Sequence, residues 1–173
     1  MDRGGSGDPR PAPGRRIRHQ DRPRMIRAFL DASVLFAAAY SETGASREII
    51  RQAIRGGIGL VTSQLVLEEA RRNLQAKAPE VVSYFDRLCE AIGFEMVRPT
   101  KREVKEAMKY TVPKDAPIIA AAKRAQVDFL VSLDRRHFVG QSHIAQRSGL
   151  KIVLPNELLE ALSSKEGHAT APS

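Results

Sequence analysis

Short apolar runs alternate along the chain with longer segments in which apolar residues recur at helical spacing. The apolar runs predict five β-strands, at residues 26–30, 58–62, 94–97, 128–132 and 151–154. The segments between them predict helices at 32–40, 45–55, 64–78, 79–92, 101–110, 116–126 and 156–162. Strands separated by helices need crossover connections, which favour parallel pairing with helices on both faces. The pattern therefore predicts an α/β fold, a three-layer α/β/α sandwich around a central parallel sheet of about five strands.

Capping residues mark several of the predicted helix ends. Ser63 precedes its helix as an N-cap, and Gly56 and Gly57 stop the helix before the second strand. Thr100 followed by Glu103 predicts a capping box, in which hydroxyl and carboxylate each accept a backbone N–H. These signals locate the points where strands end and helices begin, which is where open α/β sheets bind ligands.

The first 24 residues differ in composition from the rest of the chain. They are rich in Gly, Pro and Arg and poor in apolar residues, which predicts a disordered basic leader rather than a signal peptide. We expect a folded domain at 25–162 and a frayed tail at 163–173. The leader holds seven Arg and three Asp, half of the net charge of +8. Two interpretations stay open, an arm that clings to RNA and an upstream extension before a start at Met25; the second is favoured.

The remaining composition narrows the function classes. A pI of about 10.1 favours anionic partners, nucleic acid first. The chain has no Trp and 5% aromatic residues, which argues against the stacking platforms of single-strand binders. The single cysteine, Cys89, excludes an internal disulfide and a cysteine zinc site and fits a reducing, cytoplasmic setting. No apolar run approaches the roughly 18 residues of a membrane helix, so we expect no membrane partner.

Four acidic residues fall where predicted strands end and helices begin. Asp31 lies in the apolar run RAFLDASVLFAAAY, directly after the first strand, and Asp134 follows the fourth strand. Asp115 starts the helix before the fourth strand, and Glu69 lies in the helix after the second. Because the carboxyl ends of parallel strands meet at one edge of the sheet, we expect the four acids to share that edge. If the first and fourth strands are neighbours, Asp31 and Asp134 face each other there.

Two explanations compete for these acids. Asp31, Asp115 and Asp134 each precede a helix or turn, where an aspartate cap is worth about 1 kcal/mol. Glu69 could equally be a solvated helix residue that pairs with Arg72. Capping does not explain why four carboxylates share one edge, because clustered carboxylates repel unless a cation neutralises them. Carboxylate oxygens suit hard divalent cations, so the cluster predicts a Mg²⁺ or Mn²⁺ site.

Three segments within residues 26–160 together resemble the PIN-domain nucleases, a family that includes the VapC-type toxins of bacterial toxin–antitoxin pairs. They are FLDASVLFAAAYS, SQLVLEEARRNL and KDAPIIAAAKRAQVDFLVSLDRRHF. The resemblance implies a PIN-like fold. It places the catalytic acids at Asp31, Glu69, Asp115 and Asp134, with the three aspartates as metal ligands. For the helix position we prefer Glu69 to Glu68.

The same resemblance implies residues that support the acids. Ser33 and Ser132 match small polar positions whose hydroxyl orients a carboxylate or a metal-bound water. Independently of the resemblance, Lys114, Arg135 and Arg136 flank the acids in the sequence and are expected to bind RNA phosphates. The alternative for these three basic residues is ordinary solvated surface.

The function implied by the resemblance is that of a metal-dependent endoribonuclease that hydrolyses RNA phosphodiester bonds with Mg²⁺ or Mn²⁺. Membership among the toxins would add a cognate antitoxin protein as a partner, and homodimers are common in the family. One alternative is a catalytically weak PIN scaffold that binds RNA or a partner protein. A receiver-like phosphoacceptor domain is disfavoured, because DASVL carries one acid where such a domain has a pair.

Overall fold

The computed structural model describes residues 24–169, with side-chain burial through residue 164. The strands in this range are β1 (Arg27–Leu30), β2 (Gly59–Thr62), β3 (Glu95–Met96), β4 (Phe129–Val131) and β5 (Ile152–Val153). They form one parallel sheet in the order β3-β2-β1-β4-β5. The predicted α/β fold is confirmed, and the first and fourth strands are neighbours.

Eight α-helices lie in the same described range, with a short 3₁₀ turn at Pro79–Val81. They are α1 (Ala32–Tyr40), α2 (Ala45–Ile54), α3 (Gln64–Lys77), α4 (Val82–Ile92), α5 (Lys101–Ala107), α6 (Ala116–Ala125), α7 (Ser142–Ser148) and α8 (Pro155–Ala169). Helices α1 to α4 pack with one another and α8 packs on α2, whereas α5 packs on α6. The sheet with these two helix groups gives the predicted three layers. No helix within residues 24–169 is long and apolar enough to cross a membrane.

The central strands are buried on both faces, as the continuous apolar runs predict. Phe29 and Leu30 of β1, Val61 of β2 and Leu130 of β4 are all 0% exposed. Full burial of such a side chain contributes about 1.5–3 kcal/mol. The carboxyl ends of β1 and β4 are therefore anchored in the buried core.

Two of the predicted helix caps are present with their hydrogen bonds. The hydroxyl of Ser63 accepts from the amide of Val66 at the start of α3. At the start of α5, Thr100 Oγ1 accepts from the amide of Glu103 at 3.2 Å, and the Glu103 carboxylate accepts from the amide of Thr100 at 2.7 Å. Sequence signals of this local kind are confirmed because both partners lie within four residues of each other.

The structure differs from the prediction in the segment between β4 and β5. Helix α7 is not predicted by the sequence pattern, because its buried residues are only Ile144 and Ser148 and no apolar stripe runs along it. Helix α5 ends at Ala107 rather than continuing to residue 110, and turns follow it.

Both ends of the chain bear on the predicted domain limits. Helix α8 continues to Ala169, past the predicted start of a frayed tail at 163. The hydroxyls of Ser163 and Ser164 donate to the carbonyls four residues earlier, a pattern compatible with a helix interior. The predicted leader at 1–24 lies outside the described residues except for Arg24, whose guanidinium pairs with Asp128 at 2.8 Å.

Candidate active site

The carboxyl ends of β1 and β4 bring two of the predicted acids to one place. The strands pair with Leu30 opposite Val131, and the amide of Asp31 donates to the carbonyl of Val131 at 3.0 Å. Asp31 is 6% exposed, and Asp134, shortly after β4, is half-buried. Both line the same small cavity, so the two strand ends meet as the sequence predicts.

Asp31 is held by hydrogen bonds to both of its carboxylate oxygens. Its Oδ1 accepts from the amide of Ala32 at 2.7 Å. Its Oδ2 accepts from the hydroxyls of Ser132 at 2.7 Å and Ser33 at 3.0 Å. The hydroxyl of Ser132 in turn accepts from the amide of Asp134 at 3.0 Å. These bonds fix the orientation of the Asp31 carboxylate and offset the cost of burying it.

Asp134 closes the turn that follows β4. Its Oδ1 accepts from the amides of Arg136 and His137 at 2.9 and 3.0 Å, and its Oδ2 lies 2.7 Å from Nδ1 of the His137 ring. Partial burial disfavours the charge, but the hydrogen bonds and charge of His137 outweigh it and lower the pKa of Asp134. Asp134 is therefore an anion at neutral pH with a fixed orientation.

Asp115, at the start of α6, is the least compensated of the four acids. It is 5% exposed, yet no described residue forms a hydrogen bond with its Oδ2, and its side chain does not cap α6. Burial raises the pKa of Asp115, and the charges of Asp134 and Asp31 raise it further. Lys114 and His137 oppose this rise without cancelling it. A buried polar group without a partner lowers the stability of the fold by about 1–3 kcal/mol, and by more if it is charged. The unpartnered oxygen of Asp115 therefore indicates a ligand-binding site.

Glu69 lies on the face of α3 that borders the same cavity. Partial burial raises the pKa of Glu69, and repulsion from Asp31 and Asp115 adds to the rise, against nearby basic side chains. The adjacent Glu68 is exposed and accepts a hydrogen bond from Gln64 at 3.0 Å. Of the two neighbouring glutamates, Glu69 is the one whose carboxylate faces the other acids.

Asn73 lines the cavity one helical turn beyond Glu69, and sequence reasoning missed it. Residues four apart on a helix share a face, so the position of Glu69 was the signal that could have found it. The side-chain amide of Asn73 offers both a donor and an acceptor beside the carboxylates.

One cavity of about 160 Å³ gathers most of the predicted site residues. Those that line it are Asp31, Ser33, Glu69, Lys114, Asp115 and Asp134. Ser132 is buried behind Asp31, to which it donates. Arg136 lines a neighbouring cavity that Asp115 also borders, whereas Arg135 is exposed and borders neither cavity. The structure therefore brings the four acids and Lys114 together and places the two arginines outside that group.

Capping explains only part of the acid pattern. Asp31 caps α1 and Asp134 closes a turn, so both have a structural role. Asp115 makes no capping bond, and Glu69 lies inside α3 rather than at its end. Asp115 and Glu69, the two acids without a structural role, both have a raised pKa, for which burial is the first cause.

The donor set fits a hard divalent cation. Within residues 24–169, no three His, Cys, Asp or Glu side chains stand close enough together to ligate one ion directly. Mg²⁺ keeps several of its waters and uses only one or two protein carboxylates, so a hydrated ion suits this spacing. Burial, with a smaller contribution from neighbouring carboxylates, raises the pKa of both Asp115 and Glu69, and Oδ2 of Asp115 has no partner. A divalent ion would compensate these buried carboxylates.

Comparison with known proteins identifies the family. Residues 27–136, which include all four acids, match the family model described as PIN domain. The crystal structure of PAE2754 from Pyrobaculum aerophilum is similar in fold, with a TM-score of 0.58 and 18% sequence identity over 80% of this chain and 90% of that chain. No curated protein gives a significant match. Because the family match spans more than half of the chain and includes the carboxylate edge of the sheet, the chain belongs to the PIN-domain family, whose members are generally nucleases that use divalent metals.

Proposed function

We propose that this protein is a metal-dependent endoribonuclease that hydrolyses RNA phosphodiester bonds with Mg²⁺ or Mn²⁺. The observation that carries the proposal is the buried, unpartnered Oδ2 of Asp115, in a cavity shared with Asp31, Glu69 and Asp134. A carboxylate cluster that binds a divalent cation suits chemistry on an anionic phosphodiester. The net charge of +8 favours the same polyanionic substrate.

In this proposal Asp31, Asp115 and Asp134 hold a hydrated metal ion, at most two of them directly and the rest through its bound waters. When bound, such an ion would polarise a phosphoryl oxygen and lower the pKa of a water. Asp31 is oriented before substrate arrives, because Ser33 and Ser132 donate to its Oδ2. The turn amides orient Asp134 in the same way. Asp115 has no such donor to its Oδ2 and therefore gains the most from a cation.

Glu69 is assigned to the attacking water. Its raised pKa makes the carboxylate a stronger proton acceptor than an ordinary glutamate, which suits it to accept a hydrogen bond and then a proton from water. Asn73, on the same face of α3, is assigned to hold that water or a phosphate oxygen through its amide. This arrangement needs no histidine base.

Basic residues beside the cavity are proposed to bind RNA phosphates. Lys114 lines the carboxylate cavity, and Arg136 and Arg135 lie on the turn that Asp134 closes. Each neutralised phosphate of single-stranded RNA contributes a salt-sensitive part of the affinity. We therefore expect RNA binding to weaken as the salt concentration rises.

The direct test is incubation of the purified protein with mixed RNA in Mg²⁺, in Mn²⁺ and in EDTA. We expect cleavage only with metal, and Asp31→Asn and Asp134→Asn should each reduce it by roughly a hundredfold or more. Glu69→Gln and Glu68→Gln form a matched pair, since the glutamates are adjacent and only Glu69 borders the cavity. The proposal is supported if the Glu69→Gln variant loses cleavage and the Glu68→Gln variant keeps it. Equal cleavage by every variant contradicts the proposal.

The second candidate is a catalytically weak scaffold that binds RNA or a partner protein. It is favoured by the lack, within the described range, of three ligating side chains that converge on one point. Tight RNA binding without cleavage in either metal, unchanged by Asp31→Asn, would select this candidate.

We further propose, from family membership, a cytoplasmic toxin role with an inhibitory antitoxin partner and a homodimeric state. Growth arrest on expression should disappear with Asp31→Asn and be relieved by co-expression of the product of a small neighbouring gene. Absence of toxicity would remove the toxin role and leave the nuclease proposal standing. Sedimentation of the purified protein tests the dimer.

A further inference from the structure

We propose that a second cavity beside the carboxylates holds the base of the RNA nucleotide adjacent to the scissile phosphate and thereby selects the cleavage site. The inference rests on the proposed ribonuclease function and extends it to substrate recognition. The cavity, the base pocket from here on, has a volume of about 310 Å³. It lies between the loop after α5 and the segment that runs from the β4 turn into α7. Its volume falls at the lower end of the range for sites that enclose small molecules.

The base pocket adjoins the carboxylate cavity through shared residues. Asp115 borders both cavities. His137 lines the base pocket, and its Nδ1 lies 2.7 Å from Oδ2 of Asp134, which lines the carboxylate cavity. A phosphate that reaches the carboxylates therefore carries its attached nucleotide to the base pocket. Sequence-specific readers of single-stranded RNA use this arrangement, in which an unstacked base is held apart from the backbone.

One part of the base pocket is apolar and exposed. Met108 and Val112 are each 46% exposed although both are large apolar residues, and Ile144 is buried beside them. An exposed apolar surface with polar groups around it suits the flat face of a base. An inorganic anion gains nothing from such a surface, so the lining favours a nucleoside over a free phosphate.

The polar part of the base pocket is rich in hydrogen-bond donors. Arg136 and His143 are exposed, and neither side chain forms a hydrogen bond or ion pair with any residue in the described part of the chain. Gln141 is fixed at the pocket by donation from its Nε2 to the carbonyl of Arg136 at 3.0 Å. In this inference Arg136 contacts the base, which leaves Lys114 and Arg135 for the phosphates. A guanidinium pairs best with two acceptors on one base edge, as O6 and N7 of guanine provide. We therefore expect the pocket to prefer guanine.

Nucleotide binding to the full-length Asp31→Asn protein tests the base pocket without cleavage. GMP, UMP, AMP, CMP and inorganic phosphate are titrated separately in Mg²⁺ by calorimetry. We expect GMP to bind most tightly and inorganic phosphate most weakly. Adding His143→Ala or Arg136→Ala should weaken GMP binding about tenfold, the factor expected for one charge-assisted hydrogen bond. Gln146→Ala is the control, because Gln146 is exposed on α7 and does not line the pocket.

Two results overturn the inference. One is equal binding of GMP and inorganic phosphate; the other is equal GMP binding by the His143→Ala and Gln146→Ala variants. Both side chains are exposed, so thermal unfolding should show the fold unchanged.

Cleavage-site mapping on otherwise wild-type protein gives a second readout. We expect His143→Ala to broaden the nucleotide preference beside the cut, and Gln146→Ala to keep it.

Nucleotide binding and cleavage-site mapping together distinguish failure of the base pocket from failure of the ribonuclease function. GMP binding by the Asp31→Asn protein without RNA cleavage by the wild type rejects the ribonuclease and keeps the nucleotide site. RNA cleavage with no base preference and no GMP binding rejects the base pocket alone.

Discussion

Asp31 and Asp115 show how differently one site accommodates two buried carboxylates. Both are less than one-tenth exposed. Asp31 accepts hydrogen bonds from the amide of Ala32 and from two serine hydroxyls, whereas no described residue donates to Oδ2 of Asp115. Donors of this kind stabilise a carboxylate as an anion. The residue with the greatest need for a cation is therefore Asp115.

Removal of the Asp115 charge should stabilise the metal-free protein. Asparagine has a similar size, and it removes first the cost of burying an unpartnered charge and then the repulsion from Asp31 and Asp134. We therefore expect Asp115→Asn to raise the free energy of unfolding in EDTA by about 1 kcal/mol. Mg²⁺ at a hundred times its Kd should stabilise the wild type by about 2.7 kcal/mol, and the variant far less. Thermal unfolding in EDTA and across a Mg²⁺ titration measures both effects.

Glu68→Gln is the control for this experiment, since it changes an exposed carboxylate outside the cavity and should match the wild type in both conditions. An Asp115→Asn protein that is less stable than the wild type in EDTA would show that the buried Asp115 charge does not destabilise the metal-free protein. Equal stabilisation of both proteins by Mg²⁺ would show that Asp115 is not a ligand.

Burial of Glu69 and Asp115, with repulsion among the acids as a smaller contribution, predicts how the stability of the metal-free protein depends on pH. The pKa values of Glu69 and Asp115 are raised above their ordinary values of 4.5 and 3.8. Above those values the folded protein binds more protons than the unfolded chain, so the free energy of unfolding falls as the pH rises. The stabilising contribution of Glu69 and Asp115 to folding is fully present below their ordinary pKa values. It is lost as the pH rises through their raised pKa values in the folded protein.

Urea unfolding in EDTA between about pH 4 and about pH 7 tests this sign. We expect the Glu69→Gln/Asp115→Asn protein to lose less stability over that interval than the wild type. Asp134, with its lowered pKa, contributes in the opposite direction and stays present in both proteins. Parallel pH profiles for the two proteins would show that neither burial nor repulsion raises the pKa values of Glu69 and Asp115.

At the scale of elements, the sequence predicted what is determined locally. β1 and β4 appear as continuous apolar runs because both of their faces are buried. The acids were found because strand ends are visible in the same pattern. Helix α7 was missed because it buries little. Asn73 was missed because its place at the cavity depends on a helix face rather than on a strand end. The base pocket was missed because its two walls, the loop after α5 and the segment from the β4 turn into α7, meet only in the folded chain.

The capping box of α5 gives a prediction at this scale. Thr100→Ala removes the acceptor for the amide of Glu103, so we expect the free energy of unfolding to fall by about 1 kcal/mol. Cleavage should stay unchanged, because α5 carries none of the four acids. Urea unfolding measures the loss, and Lys101→Ala, an exposed substitution in the next position, should change stability by less than about 0.5 kcal/mol. Equal stability of the Thr100→Ala variant and the wild type would show that the capping box does not stabilise the fold.

The whole molecule combines a basic charge with an acidic site. The net charge of +8 attracts a polyanion, while the four clustered carboxylates repel one unless a cation covers them. Charge and site are therefore compatible with RNA only when metal is bound. This predicts that RNA affinity, and not only cleavage, depends on the divalent ion.

Removal of residues 1–23 separates the contribution of the leader from that of the domain. These residues hold six Arg and three Asp, so they account for three of the eight net positive charges. If Lys114, Arg135 and Arg136 bind the phosphates, the slope of log affinity against log salt concentration should stay the same after truncation. For single-stranded RNA, the slope would become shallower by about 0.7 for every phosphate that the truncated protein no longer neutralises.

Filter binding of RNA to the Asp31→Asn protein, with and without residues 1–23, measures this slope across a series of salt concentrations. A slope reduced by several units would assign RNA binding to the leader and remove that role from the three basic residues beside the acids.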